Sequence, residues 1–265
     1  MKKNKLIPLS ILVAGVIISG SILQSRDFSF NIFGGKGEQK EITDISPVSP
    51  NEPILGNPEA SVIFIEYSDT ECPFCVAFSK EREKIMSLYG EEGSIAWVYR
   101  SVSIMGSVSM QKAMALECVA EENNDYKFWN YLRDIQDKNI INPNNEEIDT
   151  SLLVSPLERF DIPTKEIVKC IEEKRYSKKI RDNIKEAKAV GAEKTPFIVI
   201  LLPEKISIIQ EEEIKMSLRE IPASLFTIPP EKDRLIINGA VPALNIAEII
   251  EIILPPKDVP SQLPF

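Results

Sequence analysis

Two of the four cysteines in this 265-residue chain, Cys72 and Cys75, stand three apart in EYSDTECPFCVAF, and a carboxylate, Glu66, lies six residues upstream of the first. Thiols at that spacing can clip a metal, pack inertly in a core, or make and break a bond. A zinc half-site of this form needs a second cysteine or histidine pair. This chain has no histidine, and Cys118 and Cys170 are single residues far apart in sequence, so no metal is expected. The lack of histidine also removes Cys-His and Ser-His catalysis. Chance burial explains neither the proline between the cysteines nor their place between a strand pattern and a helix pattern. Reversible disulfide chemistry explains both.

The chemistry follows from where the helix starts. Pro73 suits the first helical position, where its missing N–H and fixed φ cost nothing. Cys72 is then the N-cap, its sulfur facing unpaired amides and the positive end of the helix, which favours thiolate and makes it the nucleophile. Cys75 lies one turn further in, placed to attack a mixed disulfide on Cys72 and release the partner. Glu66 falls near the end of an apolar run, where a carboxylate is costly unless hydrated or used. It serves either as a proton acceptor beneath Cys75 or as a solvent-facing residue at a frayed strand end.

The elements that must hold these residues read as strand, helix, strand, a block of helices, two strands and a last helix. VIFIEY has the length and composition of a strand buried on both faces. A helical pattern then runs to Gly90, and SIAWVYRSVSI gives a second strand. From Ser107 to Val190 the pattern is almost wholly helical. FIVILLP and RLIIN are later strands. NIAEIIEIIL closes the domain with Ile246, Ile249, Ile250 and Ile253 on one helical face. Strands interrupted by helices imply a mixed or parallel sheet covered on both sides. The segment 204–233, between two strands that a tight hairpin could join, reads as an insertion of unknown role.

CPFC at a helix start, the long helical block, GAEKTPFIVI and INGAVPALNIAEIIEIIL together resemble the DsbA-like branch of the thioredoxin superfamily over about residues 58–254. The resemblance implies an α/β thioredoxin fold, a mixed central sheet flanked by helices, with a helical insertion at about 103–190. It implies that Pro196 of the Thr195-Pro196 pair is cis and lies beside the redox cysteines, with the Thr195 backbone docking substrate as an added strand. It also assigns Glu66 as the family's buried acid. The better-known oxidases of the family carry histidine between the cysteines, whereas this chain has Phe74. Phenylalanine offers the thiolate no polar hydrogen or charge, so a less oxidising couple is expected, with Phe74 facing substrate.

Cys118 shares a helical face with Met110 and Met114, and Cys170 lies beside Ile167 and Ile171, so both should point into the helical block. They read as a structural disulfide in an oxidising compartment, with separate core thiols or a second redox couple as alternatives. Closing a loop of that length stabilises by roughly 4 kcal/mol on the chain-entropy model. Phe128, Trp129 and Tyr131 either line a groove near the motif or pack in the core.

The ends of the chain bear on location. After MKKNK, residues 6–23 carry no charge and would rise roughly 27 Å as a helix, against a hydrocarbon core of about 30 Å. The flanking lysines would keep that end cytoplasmic and send the rest outward. The reading is an N-terminal transmembrane anchor, with a cleaved signal peptide as the alternative. Residues 24–57 read as a linker and 255–265 as a Pro-rich tail. A net charge of −9 excludes nucleic acid as an expected partner.

The combined expectation is an extracytoplasmic thiol-disulfide oxidoreductase that donates the Cys72–Cys75 disulfide to reduced or misoxidised exported proteins. No bound cofactor is implied, and by resemblance a membrane partner of the DsbB or VKOR type regenerates it. The alternatives are a disulfide reductase or isomerase, and a binding module that keeps the fold without the exchange.

Overall fold

The computed structural model describes residues 44–90, 93–137, 148–220, 222 and 226–254. The apolar run 6–23, the first part of the linker and the Pro-rich tail lie outside them. Among the described residues, no helix is long and apolar enough to cross a membrane.

One mixed sheet organises the described chain. Its strands are β1 (Ile54–Gly56), β2 (Val62–Ser68), β3 (Ile95–Ser101), β4 (Phe197–Leu201), β5 (Phe226–Thr227) and β6 (Arg234–Asn238), arranged β1-β3-β2-β4-β6-β5. Only β2 and β3 run parallel, with Glu66 beside Tyr99; the other pairs are antiparallel. The β2–β3 crossover contains helix α1 (Pro73–Ile85), which continues as a π-helical turn at Met86–Gly90.

Strand β2 sits in the middle, and its alternation sorts residues to two cores. Val62 and Phe64 join Trp97, Ile198 and the apolar faces of α1 and α8 (Ala243–Ile253). Ile65 and Tyr67 join Val98, Phe197, Val199 and Ala187 on the opposite face. Glu66 shares its parity with Phe64, so it points to the α1 side, and Tyr67 points away from it.

The helical block comprises α2 (Ser107–Ala120), α3 (Asp125–Asp137), α4 (Thr150–Val154), α5 (Thr164–Glu172) and α6 (Ser177–Ala189), with a 3-10 turn at Leu157–Phe160. The last of these differs from the sequence reading. Helix α6 covers β2 and β3 on the Tyr67 face, so it is a layer of the thioredoxin core and not part of an appended block.

The stretch before the domain also differs. Its described part, expected to be the end of a linker, is attached to the sheet. Strand β1 pairs with β3, and Glu52 accepts from the buried Arg100 at 2.7 Å while the Ser46 carbonyl accepts from the same guanidinium at 2.9 Å. A three-residue strand is too short to show a period, which hid it in the sequence.

The 204–233 segment has an ordered base and its own helix. The β4–β6 ladder extends past Leu201 through Leu202 N–H to the Asp233 carbonyl (3.2 Å) and Ile206 N–H to the Lys232 carbonyl (2.9 Å). From that hairpin base rises α7 (Ile208–Ser217), started by a capping box between Ser207 and Gln210. Its buried Ile214 packs in the main core, and Gln210 donates to the Ile252 carbonyl of α8 at 2.9 Å.

Candidate active site

Strand β2 delivers the chain to the helix start. The Cys72 backbone is extended (φ −73°, ψ 120°) and occupies the N-cap, with Pro73 in the first turn. Its carbonyl accepts the first helical bond from Val76 N–H at 3.0 Å, and its own N–H donates to the Asp69 carbonyl at 3.0 Å. Both thiols are free. Cys72 keeps 6% of its surface, Cys75 none, and Phe74 between them 68%. Phe74 is thus presented to solvent beside the cysteines, and only the outer cysteine can meet a partner.

The Thr195–Pro196 bond is cis. It brings the Thr195 carbonyl to 3.7 Å from Cys72 Sγ, within reach of the thiol's weak donation. The loop is held from behind. The Pro196 carbonyl accepts from Gly239 N–H at 2.8 Å, and Asn238 bridges Glu193 N–H and the Gly191 carbonyl.

Electrostatics separate the two thiols. Hydrogen bonding from Cys75, with help from the Thr195 side chain and the backbone N–H groups of Cys75 and Phe74, brings Cys72 down from 9.0 to about 6 against the cost of its burial. Burial pushes Cys75 far up, and the neighbouring Cys72 adds to the rise. A pair split this way is able to use Cys72 as nucleophile and leaving group while Cys75 holds its proton.

Glu66 is fully buried on the α1 side of the sheet, so the frayed, solvent-facing alternative does not apply. Its Oε2 accepts from Arg82 of α1 and from Trp97 Nε1, each at 2.9 Å. Its Oε1 accepts no hydrogen bond from the described residues. Beside Glu66, on β3, is Tyr99, which donates to the Ser68 carbonyl at 3.1 Å. Its pKa lies well above the ordinary value, through burial first and then the charges of Glu66, Cys75 and Asp69.

Three of these residues were not legible beforehand. Arg82 lies in KEREK, which reads as a solvated helix face, yet it is 3% exposed and also lies 5.3 Å from the Trp129 ring centroid. Trp97 is one apolar residue among several in its strand. Asp69, fully buried, accepts from Ile104 N–H (2.7 Å), Met105 N–H (3.0 Å) and the Ser109 hydroxyl (2.7 Å), tying the start of α2 to the loop before Cys72. Its bond from Glu71 N–H is an Asx turn, a signal present in SDTEC that sequence reasoning could have used.

The second cysteine pair belongs to the helical block. Cys118 of α2 and Cys170 of α5 are joined by a disulfide, with a Cα–Cα separation of 6.0 Å. Phe128, Trp129 and Tyr131 are buried in the same core, as the packing alternative expects.

Comparison with known proteins bears on the family and the fold. The sequence pattern of a family described as Thioredoxin matches residues 48–218. Over 86 residues the chain is 30% identical to "Disulfide bond formation protein D" of Bacillus subtilis (strain 168), a match covering 32% of this chain and 38% of that relative. Less than two thirds of the relative's length is therefore spanned. Among solved structures, alpha-DsbA1 of Wolbachia pipientis superposes with a TM-score of 0.59 at 20% identity, covering 78% of this chain and 92% of that one. BdbD of Bacillus subtilis (oxidised) gives 0.52 at 21% identity, covering 64% and 92%. The thiol-disulfide exchange protein alpha-DsbA2 of Wolbachia pipientis gives 0.53 at 15%, covering 76% and 86%. At these identities the likeness is one of fold.

Proposed function

The chain belongs to the Thioredoxin family whose pattern covers residues 48–218, and from that premise we infer that it is a DsbA-like protein thiol-disulfide oxidoreductase that exchanges the Cys72–Cys75 disulfide with exported proteins as a dithiol oxidase. The observation that carries this reading is the split pair: a Cys72 thiol held down to about 6, beside the cis Thr195–Pro196 bond, with a buried Cys75 held up.

In the oxidase direction a substrate thiolate attacks Cys72 Sγ of the oxidised protein. The Cys72–Cys75 bond breaks, its electron pair goes to Cys75, and Cys75 takes a proton because burial disfavours its thiolate. A second substrate thiolate then attacks the substrate sulfur of the mixed disulfide, and Cys72 leaves as the stable thiolate. The substrate loses two electrons and two protons, one proton passing to Cys75 and the other to solvent, and the protein ends reduced, with Cys75 as thiol and Cys72 as thiolate. Glu66, with one oxygen unpaired, is the proton acceptor or donor for Cys75 in this scheme, acting near Tyr99. Thr195 and Pro196 hold the substrate backbone, and Phe74 offers an exposed apolar contact beside the sulfur.

Regeneration requires a two-electron acceptor, a membrane partner of the DsbB or VKOR type. A position outside the cytoplasm is supported by the Cys118–Cys170 disulfide, since such bonds persist in oxidising compartments. It is supported also by the apolar N-terminal run, read as an anchor. Phe74 favours a second reading, a reductase or isomerase, because it gives the thiolate no polar hydrogen. Mixing the oxidised protein with a reduced, unfolded substrate separates these readings. Stoichiometric loss of substrate thiols, abolished in Cys72→Ser, supports the oxidase; loss of substrate disulfides to the reduced protein supports the second reading.

A further inference from the structure

A small apolar cavity opens beside Thr195 and plays no part in the exchange just described. It encloses about 90 Å³ between α6, the chain following β3 and the loop leading to the cis bond. The fully buried rings of Tyr67 and Phe197, with centroids 5.8 Å apart, line it together with Val102, Ala187 and the half-exposed Ile104. Thr195 completes the rim, and its carbonyl lies 3.7 Å from Cys72 Sγ. The N–H of Thr195 makes no hydrogen bond among the described residues.

The space is held open. Arg100 donates to the Tyr67 hydroxyl at 2.9 Å, and that hydroxyl donates in turn to Glu186, so the ring cannot swing in. Ile104 N–H is fixed on Asp69 Oδ2, which holds the isoleucine at the mouth with 49% of its surface exposed. Asn238 fixes the opposite loop through Glu193 N–H. Three separate anchors thus keep apolar walls apart at the edge of the reacting sulfur.

Resting on the exchange reading above, we propose that this cavity is a specificity subsite that takes one aliphatic side chain of the substrate, from a residue within two positions of the cysteine that reacts with Cys72. The occupant follows from reach, size and polarity. In an extended segment, side chains on one face recur about every 6.6 Å, so a residue two along from the bonded cysteine reaches the rim at Thr195. The volume is below the roughly 150 Å³ that holds a benzene ring, which admits valine, leucine or isoleucine but not an indole. The charged residues of the lining, Lys188, Glu193 and Lys194, are all exposed at the mouth, so an aspartate would meet a lysine only in solvent, where such a pair contributes little, and would lose its hydration further in.

Dithiol peptides that differ only within two positions of one cysteine, bearing leucine, glycine, aspartate or tryptophan there, test the proposal with the oxidised full chain. The leucine peptide should be oxidised with a kcat/KM about 10-fold above the glycine peptide, and the tryptophan and aspartate peptides should gain nothing over glycine. Ala192→Phe, which fills the rim, and Ile104→Gln, which makes a half-exposed wall polar, should each reduce the leucine preference to within about 2-fold of glycine, on the same free-energy scale. Both variants should oxidise dithiothreitol at the unaltered rate. Equal rates for the leucine and glycine peptides with the unmodified protein, or a leucine preference retained in both variants, would overturn the subsite. Failure of the unmodified protein to oxidise dithiothreitol would overturn the exchange reading itself, and the subsite with it.

Discussion

Lowering the pH through about 6 should quench the Cys72 thiolate, and the reduced protein should lose stability as it does so. Cys72 is brought down from 9.0 to about 6 in the fold, so at pH 7 thiolate exceeds thiol about ten to one, against roughly one in a hundred for an ordinary cysteine. Its folded pKa lies below its unfolded one. Its contribution to stability is therefore complete above the unfolded value, shrinks as the pH falls toward 6 and is gone below that. At 1.36 kcal/mol per pH unit the ceiling is about 4 kcal/mol, and solvent screening at the partly open sulfur reduces it to about 2 kcal/mol. Cys75 works in the other direction. Burial raises its pKa, so its contribution is present below the ordinary thiol range and is lost as the pH rises through and beyond it. The clean window is therefore about pH 6 to 8.5, between the lowered Cys72 value and the reference thiol value. The assay is chemical denaturation of the reduced and oxidised forms across that window, with the alkylation rate of Cys72 followed in parallel. The gap between the two forms should change by about 2 kcal/mol in favour of the reduced form as the pH rises, and alkylation should show a midpoint near 6. Because Cys75 is the largest cause of the shift, Cys75→Ala should move that midpoint upward. An alkylation midpoint in the ordinary thiol range, with a gap that does not change with pH, would refute the reasoning.

Replacing Cys118 and Cys170 together by alanine should cost about 4 kcal/mol by loop entropy, and so lower Tm by about 8–16 °C in a scan of the oxidised protein, while dithiothreitol oxidation survives. Arg82→Met leaves the buried Glu66 carboxylate without its cation and should destabilise by about 3–5 kcal/mol, measured by urea titration, whereas Arg82→Met combined with Glu66→Gln should recover part of that loss. Replacing residues 204–232 by a short turn joining β4 to β6 should leave oxidation of a generic reduced protein intact but lower Tm, because α7 covers part of α8. Loss of exchange in that variant would count against the segment being an addition to a complete active site.

What could be read from the sequence were features that one residue type announces. CPFC between a strand pattern and a helix pattern placed Cys72 at the N-cap, and the isoleucines of α8 marked a buried face before any contact was known. Thr195-Pro196 drew attention only through the resemblance, since no local pattern reveals a cis bond. The supporting residues were hidden because their partners are remote. Arg82 looks like any charged helix residue until Glu66, 16 positions earlier, is brought under it. Asp69 gains its meaning from amides that come from beyond β3. Helix α6 has the same amphipathic pattern as its neighbours, and only the crossover of the chain places it on the far side of the sheet. The cavity at Thr195 draws on four separate stretches of chain, so no window of sequence contains it.

The measurement that tests the central claim most directly is equilibration of the chain with glutathione buffers, followed by acid trapping and counting of the Cys72 and Cys75 thiols. A Cys72 held to about 6, between the roughly 3.5 of the strongest oxidants and the roughly 7 of thioredoxin, sets the expectation. The pair should titrate as one two-electron couple with a potential between about −120 and −270 mV. A couple at or below about −270 mV would contradict the oxidase direction, and a pair that never exchanges with the buffer would contradict the account as a whole.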